Sequence, residues 1–149
     1  MLNLRQKSKS QNNYRLNRFR KSERQFFNFE INSLFSSDKG FLLFPLSVKY
    51  NFKESEAPKV KVLIISPKRY QKLSVNRNRV KRLIRESYRL SSNEIKDFAI
   101  RSKIDIVFSF SFVSYKMKDF NSINDVVCKS LNRIINELLE TIENDNKTI

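Results

Sequence analysis

Between Lys59 and Arg89 the chain carries eleven basic residues and a single acid, a local charge of +10, and a regular apolar stripe runs through the block. Val80, Leu83, Ile84, Ser87 and Tyr88 recur at 0, 3, 4, 7 and 8, one side of an α-helix. This dictates a layout: the stripe is buried against other elements, and the remaining sides are too cationic to be buried. Arg77 and Lys81, and Arg85 and Arg89, share faces four residues apart, where like charges cost an isolated helix roughly a few tenths of a kcal/mol per pair. Only Glu86, within reach of Arg82 and Arg89, relieves that repulsion. A helix anchored by one stripe and loaded in this way presents its charge to a polyanion.

The rest of the charge sharpens the point. Residues 1–24 carry +7, while 25–58 and 90–149 each carry −1, so the total of +15 sits in two blocks. Arginine outnumbers lysine in the helix, and its planar fork matches phosphate oxygens two at a time. Lys68, Arg69 and Lys72 add to the helix to supply the six to ten phosphate contacts that make binding strongly salt-dependent. Asn78, between two arginines, either caps the helix or donates to a phosphate or base edge.

Other chemistries fall away on composition. With no histidine and one cysteine, neither a Cys/His zinc site nor a Ser-His-Asp or Cys-His centre can be built. One glycine cannot make a dinucleotide fingerprint or a phosphate-binding loop. Asp97, Asp105 and Asp119 are irregularly spaced and read as caps, turns and strand ends, so no catalytic or metal-ligating residue is expected. There is no apolar run of membrane length and no secretory h-region, and the lone thiol fits a reducing cytoplasm.

The pattern along the chain divides into a flexible basic arm at 1–18, one polyanion-binding domain at 19–142 and a frayed polar tail at 143–149. Phe27, Ile31, Leu34 and Phe35 predict a helix over 24–36, with Gly40 at a turn beyond it. Phe41–Phe52 reads as a strand, alternating from Leu46 onward, with Pro45 at an edge or bulge. Val60–Ser66 follows a short turn and is expected to be the more central strand, paired antiparallel with its predecessor. A third strand covers Asp105–Phe112. A long amphipathic helix starts at Ser122, an N-cap candidate, with Cys128 beside its apolar stripe as a small boundary residue.

The run Asn76-Arg77-Asn78-Arg79-Val80-Lys81-Arg82-Leu83-Ile84-Arg85-Glu86, preceded by Ser66-Pro67-Lys68-Arg69-Tyr70 and Val75, resembles the signature of the bacterial ribonuclease P protein component family. The order of elements around it is similar too: a basic arm, a first helix ending in Leu34-Phe35, a strand containing Phe44-Pro45-Leu46, and Asp105-Ile106-Val107 after the basic helix. The resemblance implies an α/β domain, an α+β two-layer sandwich whose four-stranded mixed sheet has helices on one face. Its order is α-β-β-β-α-β-α, with a left-handed βαβ crossover. It implies two partners, a catalytic RNA and precursor tRNA, whose 5′ leader the ribonucleoprotein removes. It implies further that Mg²⁺ is held mainly by the RNA and that the protein alone is inactive.

By position, Arg77, Asn78, Arg79, Lys81, Arg82 and Arg85 match the family signature, and Lys68 and Arg69 match the basic pair after the preceding strand. Lys72 and Arg89 extend the RNA-binding set. Phe35 matches the first-helix aromatic that lines the cleft for the single-stranded leader, although its spacing beside Leu34 alone would make it core. Ile31 falls where many members carry a second aromatic. Tyr50 and Tyr70 are further stacking candidates, since thirteen Phe and five Tyr exceed the needs of one core. The loop Arg69–Leu73 lacks the glycine common in the family. The rival readings are a general RNA-binding or ribosome-associated domain, and a stand-alone nuclease, which would need carboxylates placed for metals. Duplex DNA is disfavoured by the absence of a helix-turn-helix partner or dimerisation heptads.

Overall fold

Alternation puts one apolar side on the strand from Leu46 and another on the strand ending at Phe112, and these two strands form the middle of the sheet. In the computed structural model, which describes residues 19–147, a 3₁₀ turn at Lys21–Glu23 is followed by α1 (Asn28–Ser36), β1 (Gly40–Leu43), β2 (Leu46–Glu54) and β3 (Val60–Ile65). Then come α2 (Ser74–Ser91), α3 (Asn93–Ser102), β4 (Ile104–Phe112) and α4 (Phe120–Lys147). The sheet order is β1-β2-β4-β3, antiparallel except for the parallel β3–β4 pair. This is the expected mixed four-stranded architecture in the order α-β-β-β-α-β-α, with the helical segment between β3 and β4 divided into α2 and α3. The expected basic arm at 1–18 lies outside the described residues.

Several local expectations are corrected. β2 and β3 are not paired, because β4 lies between them, antiparallel to β2 and parallel to β3. β3 is therefore an edge strand. The centre goes to β4, whose Ile104, Ile106, Phe108, Phe110 and Phe112 are all buried and gain most from neighbours on both sides. The stretch Phe41–Phe52 breaks at Phe44-Pro45 into β1 and β2, since proline brings no N–H to the ladder, and the two fold back with Leu43 opposite Leu46. Gly40 opens β1: a Cβ there would lie 2.7 Å from the Val48 carbonyl oxygen, so glycine permits the close approach of β2.

Helix ends differ as well. α1 begins at Asn28, with Phe27 as its N-cap residue. α3 arose from no sequence expectation, yet Ile95, Phe98 and Ala99 give it a buried side, and Lys103 in the left-handed conformation (φ 55°) ends it. α4 is capped by Asp119 and not by Ser122: the Ser122 N–H donates to Asp119 Oδ1 at 3.1 Å. α4 also runs through 143–147, part of the segment expected to fray, where neither glycine nor proline interrupts it.

The main core lies between the sheet and α2, α3 and α4. Val48, Tyr50, Val62, Phe108 and Phe110 face Val80, Ile84, Tyr88, Ile95, Phe98, Ile123, Val127 and Ile134 across it. Each fully buried side chain of this size contributes about 1.5–3 kcal/mol relative to exposure. The expectation of helices on one face holds for these three. α1 lies on the opposite face, because it contacts Lys49, Asn51 and Lys61, which alternate with the core-facing residues. Leu34 is completely buried there, apart from the main core.

Candidate nucleic-acid interface

α2 is held by Val80, Ile84, Ser87 and Tyr88, all buried, with Leu83 partly buried beside them. The opposite side exposes Asn78, Arg79, Arg82 and Arg85. No ion pair engages those three arginines among the described residues, because Glu86 pairs with Arg89 (2.6 Å) and not with Arg82. The hydrogen bond from Arg89 holds the Glu86 carboxyl below its usual range. Lys81 and Arg89 are half-buried. Asn78 is in the second turn and caps nothing, since the helix starts at Ser74 after Leu73. The first two turns thus carry Arg77 and Arg79 at the helix end whose dipole already disfavours cations, and a bound polyanion would relieve that.

Arg77 has a different role from its neighbours. Its Nη1 donates to the carbonyl oxygens of Gln71 (3.0 Å) and Lys72 (2.6 Å), so it fastens the loop leading into the helix. Lys68, Arg69 and Lys72 are exposed on that loop. The basic residues expected from sequence are therefore brought together along α2 and its entry loop, with Arg77 as the strut.

The face bearing α1 is organised by register. Lys61 and Asn51 both lie opposite Val107, and α1 crosses the strands along this row. Glu30 binds Lys61 Nζ at 2.8 Å over β3, and Ser33 accepts from Asn51 over β2. With Leu34 turned to the sheet, 100° steps put Glu30, Ser33 and Phe29 on one flank of α1 and Ile31 and Phe35 on the other. The Ile31–Phe35 flank looks toward the rows Lys49–Ser109–Leu63 and Ser47–Ser111–Ile65. Ile31 is half-buried and Phe35 is 44% exposed, so its ring is not core.

The other flank borders a cleft of about 430 Å³, lined by Phe27, Phe29, Lys53, Lys59, Lys61 and Asp105 among others. Phe27 and Phe29 lie in parallel at 5.8 Å and are both well exposed. Sequence reasoning assigned no site here; the signal was two phenylalanines next to the polar start of α1. Of the two tyrosine candidates, Tyr70 is half-buried, past the Ser47–Ser111–Ile65 row, against Tyr115. Tyr50 is a correction: it is 4% exposed and faces the main core, where its hydroxyl donates to Glu137 Oε2. Even-numbered residues of β2 point to α4, and α1 covers the odd-numbered side, so Tyr50 cannot share a groove with Phe35.

Among the described residues no group of three or more His, Cys, Asp or Glu is placed to hold a metal, and no helix is long and apolar enough to cross a membrane. Asp105 Oδ1 accepts the Lys59 N–H at a strand end, and Asp119 caps α4. A mixed sheet with an exposed arginine-rich helix on one side and an aromatic-edged groove on the other defines a protein that binds RNA. The ribonuclease P family model matches residues 19–137. Two curated ribonuclease P protein components from Porphyromonas gingivalis are similar: one (strain ATCC 33277) is 37% identical over 115 residues, the other (strain W83) 36% over 116. Each match covers 76% of this chain and 84% of the relative. No solved structure matches. The chain belongs to the ribonuclease P protein component family. Its role is that of the protein subunit of this ribonucleoprotein endoribonuclease, in 5′ processing of precursor tRNA with the RNA subunit.

Proposed function

We propose that the exposed side of α2 binds the catalytic RNA, while the Ile31–Phe35 flank of α1, with the sheet rows beside it, receives the unpaired 5′ leader of precursor tRNA. The observation that carries this is the division of labour between two faces. Arg79, Arg82 and Arg85 stand free of acids on α2, and Phe35 offers an exposed ring beside the Lys49–Ser109–Leu63 row of the sheet. Phosphate contacts suit a structured RNA, and an exposed aromatic ring suits a single strand. Mg²⁺ is held mainly by the RNA, where it supplies charge stabilisation for phosphodiester cleavage. The assembly works in the cytoplasm, with neither membrane nor DNA as partner.

The test is the salt dependence of binding. Arg79→Ala and Arg82→Ala should each lower the slope of log affinity for the catalytic RNA against log salt by roughly one phosphate. Thermal stability should barely change, since both lie off the buried stripe. Phe35→Leu should weaken leader-bearing precursor by about 1–3 kcal/mol and leave mature tRNA unaffected. Unchanged slopes, or equal losses for precursor and mature tRNA, would refute the assignment of faces.

A further inference from the structure

We infer that the end of the sheet beyond α1 carries a preformed stacking platform, made by Tyr70 and Tyr115 and extended by Phe44, which takes unpaired nucleotides of the leader. This rests on the leader reading above and says where the strand is held once it passes Phe35. β3 and β4 run parallel and end on the same side, as does the β1–β2 turn, so three connections meet there. The Tyr70 and Tyr115 rings lie 5.0 Å apart at 56°, and Tyr115 is 71% exposed. Arg69 lies 5.1 Å from the Tyr70 ring. Phe44 is exposed at the turn, with Lys118 Nζ 5.4 Å from its ring.

Rigidity separates this patch from incidental surface aromatics. Gln71 and Ser114 are buried, and Gln71 Nε2 donates to the Ser114 carbonyl at 2.8 Å, tying the loop that carries Tyr70 to the loop that carries Tyr115. The Ser114 hydroxyl donates to the Lys116 carbonyl and accepts the Lys116 N–H, fixing the second loop. Arg77 clamps the first from the basic helix. The two loops fixed in this way therefore hold a well-exposed Tyr115 ring against the half-buried ring of Tyr70. Lys68, Arg69, Lys72, Lys116 and Lys118 lie on the same two loops; the only acid in either loop, Asp119, is committed to capping α4. The exposed rings of Tyr115 and Phe44 among cations suit single-stranded bases, whereas a paired RNA helix keeps its base faces stacked inside.

The holoenzyme, reconstituted with its catalytic RNA, is titrated with mature tRNA and with precursors carrying 2-aminopurine at successive leader positions. Tyr115→Leu should weaken precursor binding about 5- to 10-fold, at the lower end of what one stacked base contributes. It should leave mature tRNA and the unfolding midpoint unchanged, and abolish quenching at a leader position other than the one sensitive to Phe35→Leu. Tyr115→Phe, which keeps the ring, should behave as wild type. Full leader preference retained by Tyr115→Leu would overturn the platform alone, as would quenching lost at the same position as for Phe35→Leu. Equal weakening of mature tRNA would show that the patch touches the tRNA body or the catalytic RNA, and would overturn it too. A wild-type holoenzyme that binds precursor and mature tRNA equally would overturn the leader reading itself and this assignment with it.

Discussion

Tyr50→Phe tests whether the hydroxyl belongs to the core or to the RNA groove. In the structure it donates to Glu137 Oε2, while Arg133 Nε holds Glu137 Oε1 at 3.1 Å. A hydrogen bond to a charged group contributes about 1.5–3 kcal/mol. The Glu137 side chain is 31% exposed and keeps Arg133, so water and the arginine recover part of the loss, leaving about 1–1.5 kcal/mol. For a domain of this size that lowers Tm by about 3–6 °C, read by circular dichroism across the unfolding transition. Burial, reinforced by the hydrogen bond to Glu137, raises the Tyr50 pKa well above its ordinary 10.0. A raised pKa gives stability that is fully present below pH 10 and is lost as pH climbs beyond it, so the gap between wild type and Tyr50→Phe should narrow in alkali. Leader discrimination by the holoenzyme should be unchanged. An unchanged Tm with lost leader preference would refute the placement of Tyr50 in the core.

Two further predictions concern the basic helix and its neighbour. Arg77→Ala should behave unlike Arg82→Ala: releasing the Gln71 and Lys72 carbonyls should cost about 1–2 kcal/mol of stability and loosen the entry loop, seen as faster amide exchange at 68–73. Equal Tm values for the two variants would show that the strut contributes nothing. The bonds from Ser122 to Asp119 hold that carboxyl below its usual range, so its contribution is present above the unfolded-state pKa and is lost as pH falls through the lower folded value. Amide exchange at Ser122 and Ile123 should therefore rise in acid, and Asp119→Asn, which can still accept a hydrogen bond, should flatten the change; a wild-type profile flat to the acid limit would contradict the cap.

The Val80-Leu83-Ile84-Ser87-Tyr88 stripe and the cations around it were legible without a structure, because helix periodicity and charge are local: a buried side and a solvated side follow from spacing alone. The alternation that built β2 and β4, and the family signature, are local in the same sense. What spacing could not say is which strand neighbours which. A five-residue connection such as 55–59 suits a hairpin, yet β4, which follows only after α2 and α3, enters between β2 and β3 because its five buried apolar side chains gain most at the centre. That insertion sets the rows of the sheet, and with them the course of α1. It also decides that Phe35 is exposed while Tyr50, on the other parity of β2, is buried beneath α4. The meeting of Tyr70 with Tyr115 has the same origin. They are forty-five residues apart, and only the parallel pairing of β3 with β4, locked by Gln71 on Ser114, brings their loops together at one end. Aromatic residues look alike in sequence whether they fill a core or face a groove; the long-range pairing of strands decides which, because it chooses the face.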